Sequence, residues 1–346
     1  MATLTCALGP DSAGTLLRRF LASATTRLDV AVYEAGPAYA WEFPRAVERG
    51  VKVRLLLDGH GGANRGCLQE LRAAAARGTL VPCRLHRHEG SREAHWKLLV
   101  ADADRVAVGT GNLIARDAPA DHHGRLPPEA PPQPGTREWW AFVDGAPTLA
   151  ALARTRIGSV WRQSSAPPPV WAVEPAVEVP PVGAPRPSVP PLDIEVSPRA
   201  LHLSVEARAV RLAVDEVLEL AARRCLVVMP YIHTWAHEVR PLLERLAGAR
   251  GRGLDVRILL GQPPTGGDAA SLRERGLPAR VMDAARCTTG HAKGLVVDSR
   301  AVVMSSNWSA AGLGASIECG LRIDHPAAAD YFGDAFERDW QVSDPP

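Results

Sequence analysis

Helical and strand-like patterns of apolar residues alternate along this chain, and the same succession occurs twice. An amphipathic stretch at residues 12–26 precedes a short apolar run at 28–33, and a second such pair occupies 205–224 and 226–231. Amphipathic periodicity predicts surface helices, whereas short runs rich in Val, Ile and Leu predict buried strands. Each stretch therefore begins with a predicted helix followed by a predicted strand.

A further helix and strand follow in each stretch. An Arg-Gly pair ends a helix-like segment before the apolar runs at 51–57 and 254–260. A glycine that closes a helix before a short apolar strand is typical of an α/β unit. The pattern therefore predicts the α/β class, with sheets covered by helices.

One short motif, H-x-K-x4-D, then occurs in both stretches, at residues 95–102 and 291–298, an offset of 196 residues. Each copy leads through another apolar run to a small polar turn and then to a Glu that opens a further strand. The polar residues after the motif are Thr110, Asn112 and Glu138 in the first stretch, and Ser305, Asn307 and Glu318 in the second. A repeat this long indicates a duplicated domain rather than a solenoid. We expect the two halves to pack about a pseudo-twofold axis that brings the motifs together.

Strand geometry places the motif side chains together. Side chains alternate between the two faces of a strand, so His95 and Lys97 share one face, as do His291 and Lys293. One such pair arises often by chance. Two copies followed by the same order of Asp, Asn and Glu are strong evidence of a functional motif.

Two imidazoles and two ammonium groups in one cleft suit a phosphodiester substrate. Lysine binds phosphate oxygens as a point charge, and amide and hydroxyl groups can add donors, without a metal ion. One histidine can attack phosphorus while the other protonates the leaving alcohol and then activates water or an alcohol. A carboxylate on the far imidazole nitrogen would set the tautomer. The candidate donors are Asn112, Asn307, Thr110 and Ser305, and the candidate carboxylates are Glu138 and Glu318.

The doubled motif resembles that of the phospholipase D superfamily, H-x-K-x4-D-x6-G-S-x-N. The resemblance implies an α/β, duplicated phospholipase D-like fold, in which two α/β domains related by a pseudo-twofold hold the active site at their interface. It implies His95 as the nucleophile, through a phosphohistidine, and His291 as the acid and base. The resemblance also implies that phosphate is bound by Lys97, Lys293, Asn112 and Asn307. A catalytic histidine would be oriented by Glu138 and by Glu318. The motif aspartates Asp102 and Asp298 would have a supporting role that needs no contact with substrate. The second half has one residue fewer between its Asp and Asn, so either Ser305 or Ser306 matches Thr110.

Two proline-rich segments interrupt the repeat. Residues 166–192 contain ten prolines and are predicted to be an extended linker between a half at 1–165 and a half at 193–346. Residues 117–136 are predicted to be a long loop, because 15 more residues separate Asn from Glu in the first half than in the second. We expect this loop either to cover the site as a lid or rim, or to be a surface insertion. Its neighbouring His122 and His123 are interpreted as solvated.

Composition narrows the function classes. The net charge is +2, with no Lys/Arg cluster, which weakens a processive nuclease. The six cysteines lack zinc spacing, and neither a signal peptide nor a transmembrane run is predicted, so we expect a cytoplasmic protein without cofactor or metal. Because one chain carries both motifs, we expect it to act as a monomer. Three further histidines could line a substrate pocket but are interpreted mainly as surface or capping residues: His60, His233 and His237. Four tryptophans near the motifs are interpreted mainly as core residues, although one or two could contact a substrate: Trp96, Trp139, Trp140 and Trp308.

The favoured function is that of a phosphoric diester hydrolase or phosphatidyltransferase of lipid metabolism, acting at a phospholipid head group. A metal-independent nuclease that cleaves DNA or RNA is the alternative. A third reading is a catalytically inactive binding scaffold. The residues do not decide between hydrolysis and transfer to an alcohol.

Overall fold

The computed structural model describes residues 1–87, 92–119, 135–168, 189–283, 287 and 289–345. Helices and strands alternate through both halves. The first half contains β1 (Ala2–Gly9), α1 (Ala13–Ala22), β2 (Arg27–Val32), α2 (Pro37–Ala40), α3 (Glu42–Glu48), β3 (Lys52–Asp58), α4 (Asn64–Ala76), β4 (Cys83–His86), β5 (Lys97–Ala101), β6 (Arg105–Gly109), β7 (Glu138–Asp144) and α5 (Pro147–Gln163).

The remaining elements follow the proline-rich linker, of which residues 169–188 lie outside the described part of the chain. They are β8 (Leu192–Val196), a 3-10 turn (Pro198–Ala200), β9 (Leu201–Ser204), α6 (Ala207–Glu219), β10 (Arg224–Met229), α7 (Arg240–Gly251), β11 (Asp255–Leu260), α8 (Asp268–Glu274), β12 (Ala279–Val281), β13 (Gly294–Val297), β14 (Arg300–Met304), a π-helical turn (Ala311–Ala315), β15 (Gly320–Ile323) and α9 (Pro326–Gln341).

The two halves build sheets of the same topology. The first sheet has the order β4-β3-β2-β5-β6-β7-β1-β8 and the second β12-β11-β10-β13-β14-β15-β9. In both, the first three strands pair in parallel and the others antiparallel. The predicted α/β class and the duplication are confirmed.

One strand lies in a different sheet from the one its position in the sequence suggested. We placed residues 193–346 in the second half, but β8 pairs with the edge of the first sheet, antiparallel to β1. Its apolar and acidic residues alternate, as suits an edge strand with one solvated face. On that face Thr3 donates a hydrogen bond to Glu195 across a distance of 2.8 Å.

Apolar residues on both faces of the central strands create three cores. In β5, Leu98 and Val100 face a central core together with α5 and α9, whereas Leu99 and Ala101 face an outer core with α1 to α4. A second outer core lies beneath α6 to α8. The central core contains residues of both halves, so burial of apolar surface holds the two sheets face to face. The four tryptophans near the motifs are fully buried, which confirms their packing role.

Among the residues that the structure describes, no helix combines the length and the apolar character needed to cross a bilayer.

The motif aspartates sit at the tight turns that follow the motif strands. Asp102 and Asp298 have left-handed backbone conformations, with φ of 49° and 52°. Each carboxylate accepts backbone N–H groups from the segment between the preceding helix and strand. These donors include Thr26 at 2.7 Å for Asp102, and Ala222 at 2.8 Å and Arg223 at 2.9 Å for Asp298. The aspartates therefore brace each half at the end of the strand opposite to the histidine.

These hydrogen bonds make a pH-dependent contribution to stability. Burial alone would raise the pKa of Asp102, but the N–H groups of Thr25, Thr26 and Arg27 outweigh it and lower the pKa to about 2. Because the unfolded value is about 4, the contribution is complete above pH ~4 and is lost as the pH falls toward 2.

We expect Asp102→Ala to lower the free energy of unfolding by about 2 kcal/mol at pH 7, because several charge-assisted hydrogen bonds are lost. Urea unfolding at pH 7 and pH 3 measures the loss, which should shrink at the lower pH. Asp104→Ala, in the same turn, is the matched control and should cost less than about 0.5 kcal/mol. Equal losses for the two variants would contradict the bracing role.

Candidate active site

The two motif segments interlock across the boundary between the halves. Ala94 bridges Ile317 and Arg137 bridges Gly290, each as a short parallel pairing. The N–H of Ile317 donates to the carbonyl oxygen of Glu93 at 2.7 Å, and that of His291 donates to Arg137 at 3.0 Å. The segment carrying each histidine is thus hydrogen bonded to the segment carrying the other half's glutamate.

As a result, each histidine is oriented by a carboxylate from the other half. His95 Nδ1 lies 3.2 Å from Glu318 Oε1, and His291 Nδ1 lies 2.7 Å from Glu138 Oε1. Both glutamates are almost completely buried. A carboxylate at Nδ1 favours the tautomer in which Nδ1 carries the proton, which leaves the Nε2 lone pair for chemistry.

The hydroxyls of Thr110 and Ser305 support the glutamates. We expected these hydroxyls as donors to the phosphate, but Thr110 Oγ1 donates to Glu138 and Ser305 Oγ donates to Glu318. The matching contacts also settle the alignment: Ser305, rather than Ser306, is equivalent to Thr110. The hydroxyls are used in this way because a buried carboxylate requires hydrogen-bond donors.

Both motif lysines are completely buried beside the histidines. Lys97 Nζ donates to the carbonyl oxygen of His95 at 2.7 Å, and Lys293 Nζ donates to that of His291 at 2.7 Å. Lys293 Nζ also lies 2.8 Å from His291 Nε2. The Lys293 ammonium group therefore lies at the Nε2 side of His291, and Lys97 lies beside the backbone of His95.

Burial dominates the electrostatics of these groups. It lowers the pKa of His95, and it lowers the pKa of His291 well below its usual value, with the nearby lysines acting in the same direction. Burial likewise lowers the pKa of Lys293 to about 7 and raises that of Glu138 to about 7. Such displaced values are characteristic of functional sites, because the group is held away from its preferred charge state. A phosphate anion bound here would stabilise the ammonium forms.

The two asparagines carry polar side-chain atoms that the described part of the protein leaves unpaired. Asn112 Nδ2 donates to Asp117 Oδ2 at 3.0 Å. Within the described chain, the side-chain carbonyl oxygens of Asn112 and Asn307 and the hydroxyl of Ser306 are buried without a protein partner. Buried polar atoms are normally paired, so these groups are available to a ligand or to water.

Asp117 is a site residue that sequence reasoning missed. Its side chain is fully buried, and its Oδ2 also accepts the backbone N–H of Asn112 at 3.0 Å. We had treated it only as the first residue of a proline-rich loop. No motif marks it, because the corresponding position of the second half is Gly312.

Asp117 also joins the two ends of the loop at residues 117–136. Thr136 Oγ1 donates to Asp117 Oδ1 at 3.3 Å, and the N–H of Thr136 donates to the carbonyl oxygen of Arg116 at 2.9 Å. The loop therefore leaves and returns at the edge of the site. The remaining loop residues 120–134, with His122 and His123, lie outside the described chain, so the choice between lid and surface insertion stays open.

The other candidate histidines make different contacts. The backbone N–H of His60 donates to Asp58 Oδ1 at 2.8 Å, and the imidazole is more than half exposed. His233 stacks between Tyr231 and Trp235, with ring centroids 4.8 Å and 5.3 Å away. His237 is exposed. Their positions fit the surface and capping roles expected of them.

One set of ligand-type atoms has spacing that would suit a metal ion. Single atoms of Asp117, Glu138 and His291 lie within 4.8 Å of one another. Both carboxylates already have hydrogen-bond partners in the protein. Asp117 accepts from Asn112 and Thr136. Glu138 accepts from Thr110 and is hydrogen bonded to His291. Their proximity is therefore explained by the hydrogen-bond network.

The family of the protein follows from comparison with known sequences. A family model described as "Cardiolipin synthase, PLD-like domain" matches residues 17–122 and 214–340, more than half of the chain and both copies of the repeat. The chain belongs to this family, and so to the phospholipase D superfamily. No curated protein sequence matches it significantly.

Solved structures share the architecture. Phosphatidylserine synthase from Haemophilus influenzae Rd KW20 is 15% identical with a TM-score of 0.64, and the alignment covers 99% of this chain and 87% of that one. Polyphosphate kinase from Porphyromonas gingivalis is 10% identical with a TM-score of 0.61, covering 97% and 50%. Nuc, a phospholipase D family member from Salmonella typhimurium, is 21% identical with a TM-score of 0.36, covering 42% and 98%. At these identities the first two likenesses show the fold alone.

We expect catalysis to survive chelation, because two buried ammonium groups stand where a metal ion would otherwise stabilise the phosphate. Turnover of bis(p-nitrophenyl) phosphate with and without EDTA measures this. Rates should agree within about twofold. Loss on chelation, with recovery on adding a divalent ion, would contradict the prediction.

Proposed function

We propose that this protein is a phosphodiesterase that cleaves its substrate through a phosphohistidine on His95. The observation that carries the proposal is the pair of imidazoles, each held by a carboxylate from the opposite half and flanked by a buried lysine. A nucleophile and an acid of the same residue type are thereby presented to one phosphorus atom. The two half-sites would act as a single site within one chain.

In the first step, His95 Nε2 attacks phosphorus and forms a P–N bond. The P–O bond to the leaving alcohol breaks, and its oxygen takes a proton from His291 Nε2. In the second step, a water molecule or an alcohol attacks phosphorus and gives its proton to His291. The P–N bond then breaks and restores neutral His95.

Lysines and asparagines would stabilise the phosphorus oxygens during both steps. Lys97 and Lys293 are buried beside the histidines, and a bound diester would add its negative charge to that of the nearby carboxylates. Groups fixed before the reaction need little reorganisation, which is the main source of electrostatic stabilisation in enzymes. The donors would be the side-chain NH2 groups of Asn112 and Asn307. The NH2 group of Asn112 gives one hydrogen to Asp117 and has a second for a phosphorus oxygen.

The charges around the two histidines differ, and the family resemblance gives the acid role to His291. His95 has the carboxylate of Glu318 at its Nδ1, whereas His291 has Glu138 and, in addition, the charge of Asp117, which raises its pKa. The position equivalent to Asp117 in the second half is Gly312. This charge opposes burial and the neighbouring lysines, which together hold the pKa of His291 well below its usual value, and it thereby favours the imidazolium form that an acid requires.

A phospholipid head group is the favoured substrate. The family model that matches is described as a cardiolipin synthase domain. One structure with the same fold, aligned over 99% of this chain and 87% of its own, is a phosphatidylserine synthase. The modest net charge of +2 offers little attraction to a polynucleotide. Hydrolysis and transfer to an alcohol use the same intermediate and differ only in the second acceptor.

A substrate screen without added metal tests the proposal. Wild type should release head groups from phospholipid vesicles, and His95→Ala should lose about 10⁴-fold or more in rate, because its nucleophile is missing. His202→Ala, which removes an exposed imidazole in β9, is the matched control and should match wild type. Cleavage of single- or double-stranded DNA in place of lipid would favour the nuclease. Activity retained by His95→Ala would refute the mechanism.

The role of Asp117 predicts a change in pH dependence. Its charge raises the pKa of His291, so Asp117→Asn should lower that pKa. Because a general acid is protonated only below its pKa, the alkaline limb of kcat/KM should move to lower pH. Asp330→Asn, which removes an exposed carboxylate in α9, should leave the limb in place. An unchanged limb, or one moved to higher pH, would argue against His291 as the acid.

A further inference from the structure

A cavity of about 480 Å³ opens beside His291. This size suits a small organic molecule. Besides His291, its wall contains Arg116, Thr136, Gln262, Met282, Cys287 and Thr289. It therefore lies on the side of the site where the mechanism places the leaving alcohol.

The halves differ at the strand end that borders this cavity. Asp58 ends β3 in the first half, is fully buried, and accepts the N–H of Ala94 at 2.7 Å, next to His95. The equivalent residue after β11 is Gly261. A Cβ there would lie only 1.6 Å from the carbonyl oxygen of Gly290, so the chain passes directly over the residue before His291. The wall beside His291 is therefore formed by backbone, whereas the equivalent position beside His95 is occupied by a carboxylate.

The charge of the wall indicates what the cavity binds. Arg116 is the one charged side chain other than His291 among the described residues of the wall, and no carboxylate is among them. Its guanidinium is more than half exposed and its Nε lies 3.4 Å from Asp117 Oδ1, which ties the arginine to the edge of the site. The hydroxyl and amide groups of Thr136, Gln262 and Thr289 add polar contacts. A guanidinium in a polar pocket recognises carboxylate or phosphate groups.

We propose that this cavity holds the leaving and incoming alcohol, and that Arg116 selects alcohols that carry an anionic group. The proposal rests on the function proposed above, in which His291 exchanges a proton with that alcohol. The cavity would then combine Arg116 of the first half, which sets specificity, with His291 of the second half, which acts as the acid. The anionic group would lie toward Arg116 and the reacting hydroxyl toward His291.

Competition between acceptors tests the proposal. With bis(p-nitrophenyl) phosphate as donor, the p-nitrophenyl phosphoryl group is transferred to water or to an added alcohol. The added alcohols are glycerol 3-phosphate, glycerol and choline at equal concentration. Wild type should prefer glycerol 3-phosphate. Arg116→Gln should reduce its preference over glycerol by about fivefold, the effect of one partly exposed ion pair, and Arg116→Lys should retain most of it.

Calorimetry separates this proposal from the function on which it rests. Glycerol 3-phosphate should bind wild type about fivefold more tightly than Arg116→Gln. Arg208→Gln, an exposed change in α6, should alter neither binding nor acceptor preference. If wild type releases no p-nitrophenol but binding depends on Arg116, the cavity assignment stands and the proposed function fails. If turnover is normal while neither preference nor binding depends on Arg116, the cavity assignment is wrong.

Discussion

A hydrogen bond between an imidazole of one half and a buried carboxylate of the other is the interaction on which this structure depends. It occurs twice, between His95 and Glu318 and between His291 and Glu138. Each glutamate has a hydroxyl donor from its own half, and the imidazole of the other half adds a second partner inside the interface. Association of the halves and assembly of the site are therefore coupled.

Other contacts across the boundary also pair buried charged groups. Arg137 is fully buried next to Glu138 and donates to Asp339 of the second half at 2.7 Å and to Asp11 of the first at 3.1 Å. The central core adds apolar residues from both sheets and from α5 and α9. Polar contacts set the register of the halves, while apolar burial supplies the main favourable free energy.

A strictly twofold site would present two equivalent histidines, whereas the proposed mechanism makes one the nucleophile and the other the acid. The duplicated fold supplies two equivalent histidines, and single substitutions make them different. Asp117 adds a negative charge near His291 where the second half has Gly312, and Gly261 leaves backbone where the first half has Asp58. The long loop at 117–136 also begins at the edge of the site, at Asp117. These departures from the repeat are therefore the residues to examine for specificity.

The sequence predicted the fold well because the repeat constrains it twice. The motif spacing identified both histidines, lysines, asparagines and glutamates, and the structure brings them together. The pattern could not show which glutamate meets which histidine, since that pairing depends on how the halves dock. It assigned Thr110 and Ser305 to the phosphate because it could not see the buried carboxylates that claim their hydroxyls. It missed Asp117, which no motif marks, and it placed β8 with the wrong sheet, because strand pairing across a linker leaves no periodic signal.

The central claim is that two unlike histidines, one from each half, serve one phosphorus atom. Mass spectrometry of protein quenched during turnover of bis(p-nitrophenyl) phosphate tests it most directly. p-Nitrophenol leaves readily without an acid, so His291→Ala should accumulate an adduct on the peptide that contains His95, and His95→Ala should form none. An adduct on His291 in the His95→Ala variant, or an adduct on neither histidine despite turnover, would contradict the account.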